Sequence, residues 1–135
     1  MADNGAPYKK TLLFACSGGS NVGQIANDAV KALDQLGQGH MYCPVGVAGR
    51  LPSFVDTALK ADKRVAIDGC EGQCLKQGFE AAGVPLDVHI VVTDLGIEKG
   101  HHFQHSREEV AKVVAIVKDA LGVRPYSDEA SGAEQ

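Results

Sequence analysis

Short apolar runs alternate along this chain with longer stretches of helical periodicity. Residues 10–15 (Lys-Thr-Leu-Leu-Phe-Ala) form a compact apolar run suited to a strand buried on both faces. A Gly-rich turn, Ser17-Gly18-Gly19-Ser20, follows. Val22, Ile25, Ala26, Ala29, Val30, Leu33 and Leu36 then recur at helical spacing, and Gly37 and Gly39 stop that helix. Residues 40–43 make a short second strand. Pro52 opens a second helix carrying Phe54, Val55, Ala58 and Leu59 on one side. Residues 64–68 (Arg-Val-Ala-Ile-Asp) are the third strand. A third helix follows with Leu75 and Phe79 inward and Gly83 as its stop. Residues 87–92 (Asp-Val-His-Ile-Val-Val) are the fourth strand. The last helix starts at Ser106, where Ser106-Arg-Glu-Glu109 fits a capping box, and carries Val110, Val113, Val114, Val117 and Leu121 to Gly122.

The pattern reads βαβαβαβα. Strands alternating with helices imply a parallel sheet covered on both faces with right-handed crossovers. The expected fold is a single α/β domain, a Rossmann-like, doubly wound three-layer sandwich whose four-stranded parallel sheet has strand order 2-1-3-4. A length of 135 residues fits one such domain. Its expected extent is residues 8–122, between a polar N-terminal segment, 1–7, and a polar C-terminal tail, 123–135; both are expected to fray.

Composition narrows the function. Lys and Arg total 13 against 17 Asp and Glu, giving a formal net charge of −4. A mildly acidic chain without a basic cluster is a poor electrostatic partner for nucleic acid or an anionic membrane. Its apolar runs are too short to span a bilayer, and its first residues lack the basic and apolar blocks of a signal peptide. The expected compartment is therefore a reducing cytoplasm. There, four cysteines point to metal ligands or reactive thiols before disulfides.

Cys16, Cys43 and Cys70 recur at intervals of 27 residues, about one βα unit each. That period places all three at the carboxyl ends of parallel strands, the edge where open α/β sheets bind ligands. Cys74, four residues after Cys70, can share a helical face or first turn with it. A single cysteine is most simply a small buried hydrophobe. Four at one edge favour shared chemistry, and a tetrahedral Zn²⁺ held by Cys16, Cys43, Cys70 and Cys74 is its simplest form. Helix N-termini near two of these thiols would favour thiolate and offset the formal −2 charge of such a centre. An iron–sulfur cluster uses the same ligands, and spacing does not separate the two.

Other chemistries fare less well. Gly18 and Gly23 have the separation of a nucleotide-binding phosphate loop, but Gln24 and Ile25 stand where Lys and Ser/Thr are needed. A cysteine-phosphatase loop needs Arg six residues after Cys16, and Val22 is there. The glycines are also wrongly spaced for a dinucleotide fingerprint. The loop is then either a tight turn that needs glycine or an amide donor to an anion such as a thiolate. The second function considered is a thiol-dependent redox or sulfur-transfer enzyme, with Cys16 as nucleophile and Cys43, Cys70 or Cys74 resolving it.

The remaining polar residues carry weaker signals. His101, His102 and His105 offer a second metal site or a solvated loop, the solvated loop being the simpler reading. His89, inside a strand, reads as a packed residue, and His40 carries no clear signal. Asp68 and Asp94, at strand ends, read as caps or as groups that orient ligands. Arg50 reads as a solvated surface residue.

The segments Cys16-Ser-Gly-Gly-Ser-Asn-Val-Gly-Gln24, Cys43-Pro-Val-Gly46, Asp68-Gly-Cys-Glu-Gly-Gln-Cys74 and Val92-Thr-Asp-Leu-Gly96 together resemble the DGC domain family, named for its Asp-Gly-Cys motif. The resemblance runs from about residue 10 to 121. It implies a zinc site on Cys16, Cys43, Cys70 and Cys74. It implies no defined reaction, so structural, metal-handling and redox-sensing roles all stay open. The histidine-rich loop lies outside the resembling motifs.

Overall fold

The structure, a computed structural model, describes residues 10–122. The expected terminal segments, 1–7 and 123–135, lie outside the described residues. Four strands, β1 (Thr11–Ala15), β2 (His40–Met41), β3 (Lys63–Asp68) and β4 (Val88–Val91), form one all-parallel sheet in the order β2-β1-β3-β4. This is the doubly wound α/β topology expected from the alternating pattern.

Five helices cover the sheet: α1 (Asn21–Gln35), α2 (Pro44–Ala48), α3 (Pro52–Lys60), α4 (Cys74–Ala81) and α5 (Arg107–Ala120). Because strand side chains alternate between faces, β1 feeds two cores at once. Leu13 and Ala15 point with Val65 and Ile67 toward α1 and α5. Leu12 and Phe14 point with Ala66 toward α2, α3 and α4, where the Phe14 and Phe79 rings meet edge to face, 4.7 Å between centroids. The central strands β1 and β3 are thus buried on both sides over most of their length, which explains why β1 is a continuous apolar run rather than an alternation, while the edge strand β2 is exposed and β4 half-buried.

Several boundaries differ from expectation. The second strand is only His40–Met41, so Cys43 lies two residues beyond it. A short helix, α2, intervenes before α3; Pro44 sits at its first position, where the missing N–H costs nothing. Leu59 faces out at 48% exposure, because α3 packs through Phe54, Val55 and Ala58. Leu36, at the C-cap of α1, is likewise exposed. The capping box at Ser106 is present in both directions: Ser106 Oγ accepts from Glu109 N at 3.1 Å, and Glu109 Oε1 accepts from Ser106 N at 2.9 Å.

At the amino end of the sheet, Arg64 closes the structure. Its guanidinium donates to the carbonyls of Ala58, Ala61 and Pro85 and pairs with Asp87 at 3.2 Å. The carboxyl end is left to the loops that carry the cysteines.

Candidate functional site

Cys16 directly follows β1 and continues its ladder, its N–H donating to Ile67 O at 3.1 Å. The chain then turns sharply. Ser17 takes a left-handed φ of 53°, while Gly18 and Gly19 do not. The turn is tied from α1: Gln24 Nε2 donates to the carbonyls of Ser17 and Gly18, and Ser17 Oγ donates to Asn27 Oδ1 at 2.8 Å. Ser20 caps α1 by accepting from Gly23 N. Gln24 therefore staples the glycine loop from the position where a phosphate loop has its lysine.

The loop has a second use for glycine. A Cβ on Gly23 would stand 2.4 Å from Gly18 O, and one on Gly69 would stand 2.8 Å from Gly23 N. The loop after β1, the start of α1 and the loop after β3 are thus packed backbone on backbone. This contact brings the Gly69 amide to Cys16, whose Sγ accepts from it at 3.3 Å. Burial pushes the Cys16 thiol above its ordinary value of 9.0; amide hydrogen bonds from Gly18 and Gly69 pull it down, and Asp68 and Cys74 push it up again.

Asp68, the last residue of β3, is 1% exposed. Its Oδ1 accepts from Leu75 N at 2.9 Å and its Oδ2 from Lys76 N at 3.1 Å. The carboxylate thus caps the first turn of α4, where Gln73 at the N-cap has a left-handed φ of 48° and offers no cap of its own. His89 Nε2 on β4 lies 2.8 Å from Asp68 Oδ2. His89, half-buried in β4, is thus a packed residue that also partners this buried carboxylate. Asp68 in turn holds the helix whose first residue is Cys74.

Three of the four cysteines divide between two cavities, and the fourth, Cys43, lines neither. Cys16 and Cys74 line one of about 240 Å³ with Pro44, Val45, Ala48 and Leu75. Pro44 follows Cys43, which is exposed at the N-cap of α2, and Val45 beside it is 82% exposed. Cys70 opens instead on a cavity of about 430 Å³ beside Thr93 and Lys99, and Lys99 Nζ stands 3.6 Å from Cys70 Sγ. Cys70 and Cys74 therefore do not share a helical face; Cys70 precedes α4, and its carbonyl accepts from Gln73 N in the intervening turn. All four thiols are free and at the carboxyl edge. Among the described residues, no three His, Cys, Asp or Glu side chains are already gathered to hold a metal.

The histidines after β4 go elsewhere. The segment holding His101 and His105 is not helical, so the two share no face. His101 and His102 are exposed, while His105 Nε2 lies 2.8 Å from Asp28 Oδ2 on α1. Asp94 is exposed in a 3-10 turn (Val92–Leu95), and Arg50 is exposed with a left-handed φ of 62°. Sequence patterning alone does not show three of these contacts: His89 with Asp68, Gln24 stapling the glycine loop, and Lys99 beside Cys70. Only Gln24 had a sequence signal, its place in the failed phosphate-loop pattern.

A family model described as DGC domain matches residues 12–117. The chain is also 36% identical over 88 residues to a Pseudomonas aeruginosa protein described as "Anaerobic and virulence modulator AnvM", covering 65% of this chain and 67% of that protein. No solved structure matches. No helix among the described residues is long and apolar enough to cross a membrane.

Proposed function

The chain belongs to the DGC domain family, and from that premise we propose that Cys16, Cys43, Cys70 and Cys74 hold one zinc ion at the carboxyl edge of the sheet, as a structural or redox-responsive centre. The observation that carries this reading is the convergence of four free thiols, from the loops after β1, β2 and β3, on one end of the molecule. Four sulfurs are the donor set of closed zinc sites. The fit is one of donor type and location. Cys16 and Cys74 already face one cavity, and ligation would draw Cys43 and Cys70 to them.

Bound zinc would supply a point of positive charge that ties three crossover loops together and keeps its ligands deprotonated. The chain's own groups support that state: the Gly18 and Gly69 amides donate to the Cys16 sulfur, and Asp68 holds the first turn of α4 and with it Cys74. The name of the Pseudomonas aeruginosa relative, an anaerobic modulator, supports a regulatory use over a catalytic one.

The test is thiol accessibility followed by mass spectrometry. All four cysteines of the anaerobically purified protein are expected to resist iodoacetamide until a strong chelator is added, and then to react. Cys16 reacting alone and fast, with or without chelator, would instead support the thiol-enzyme reading. Visible absorbance lost with the protection would assign the same ligands to an iron–sulfur cluster.

A further inference from the structure

Cys16 and Cys74 stand far apart in sequence, after β1 and at the start of α4, yet they line one cavity of about 240 Å³. Neither Cys43 nor Cys70 lines it. Two consecutive residues hold both thiols in place. The buried Asp68 carboxylate accepts from Leu75 N and Lys76 N, which fixes the first turn of α4 and Cys74 within it. The Gly69 amide donates to Cys16 Sγ at 3.3 Å. A further wall is fixed as well. A Cβ on Gly78 of α4 would stand 2.9 Å from Ala48 Cβ, so α2 lies close against α4 and closes the cavity with Pro44, Val45 and Ala48. The two sulfurs also act on one another. Burial is the main reason that the Cys16 thiol titrates above its ordinary value, and the charge of Cys74 is a further one.

Oxidation of a thiol follows its exposure, and Cys74 is exposed where Cys16 is half-buried. We propose that Cys16 and Cys74 are the redox pair of this chain: hydrogen peroxide oxidises Cys74 and Cys16 resolves it, giving a reversible disulfide that ties the end of β1 to the start of α4. In the first step the Cys74 sulfur attacks one peroxide oxygen, the O–O bond breaks, and a sulfenic acid and one water form. In the second the Cys16 sulfur attacks the Cys74 sulfur. The S–S bond forms, the S–O bond breaks, and the hydroxyl leaves as water with the Cys16 proton. The two thiols lose two electrons and the peroxide gains them. Cys43 and Cys70 keep their thiols, Cys70 because it lies in the other cavity beside Lys99. The pairing needs only two sulfurs at one cavity and does not depend on the zinc reading; where that reading holds, the same bond removes two of the four ligands.

The experiment treats the metal-free protein with hydrogen peroxide at a concentration that oxidises free cysteine, alkylates the remaining thiols with iodoacetamide, and maps the cysteines by mass spectrometry. Cleavage after Glu71 separates Cys70 from Cys74, so each cysteine is assigned singly. The expected product is a peptide pair joining Cys16 to Cys74, short of two hydrogens and reversed by dithiothreitol, with Cys43 and Cys70 alkylated. Cys70→Ser is expected to form the same bond as wild type. Cys16→Ser is expected to form none and to leave Cys74 as a sulfenic acid that dimedone traps. A wild-type bond from Cys16 or Cys74 to Cys43 or Cys70, or four alkylated thiols after the peroxide, overturns the pairing. Protein that binds zinc but yields another pairing overturns this inference alone. Protein that takes up no zinc but forms the Cys16–Cys74 bond overturns only the zinc reading.

Discussion

Asp68 shows how much one side chain can do at this edge. A buried carboxylate survives only when its acceptor sites are filled. Here two backbone amides of α4 and the His89 ring fill them. Its position at the end of a strand, beside glycine and cysteine, was legible as a cap or an orienting group. Its partner was not, because His89 is 21 residues away and only the β3–β4 register, Asp68 opposite Val91 and Ala66 opposite His89, sets the two together. Replacing Asp68 by Ala leaves two amides and a histidine without their partner and removes the only side-chain cap of α4. The expected loss is about 3 kcal/mol in urea unfolding of the metal-free protein. An unchanged midpoint would contradict the role assigned to this carboxylate.

Among the elements, periodicity was a good guide wherever a helix or strand was long enough to show one. The extents of α1 and α5, the capping box at Ser106 and the strand order all follow from apolar spacing and βα alternation. What spacing hid was short or tertiary. β2 has two residues and α2 five, each below the length at which a period is visible. The glycines were read as a turn. Their sharper use is close approach, which depends on a loop 46 residues further along the chain, between Gly23 and Gly69. Gly69→Ala would place a methyl group 2.8 Å from the Gly23 nitrogen and 2.9 Å from the Val22 carbonyl carbon, both main-chain atoms with little room to give. Overpacking of this kind costs about 1–3 kcal/mol. The variant is expected to lose stability in that range and to hold zinc less tightly than wild type, since the Gly69 amide moves away from Cys16. Thermal unfolding and chelator competition measure the two effects, and a variant with wild-type values in both would show that the close approach is dispensable.

For the molecule as a whole, parallel strands bring every strand's carboxyl end to one side, so one regular spacing of cysteines becomes one location. That location was legible from the 27-residue interval alone. The separation of Cys70 from Cys16 and Cys74 was not, because it depends on where α4 begins and on the loop after β4, whose Glu98 carbonyl and Gly100 amide bond to the Asn21 side chain. A metal would join the two halves and link three crossovers through one point. A sheet with cores on both faces needs that link less than a zinc finger does, so the metal is expected to tighten one edge rather than to make the fold. The most direct test is the metal content of protein purified anaerobically without chelator, measured by elemental analysis beside a thiol titration. A single four-thiolate site gives about one zinc per chain, with few thiols titrating until the metal is removed. Protein free of zinc and iron, with all four thiols titrating at once, would contradict it.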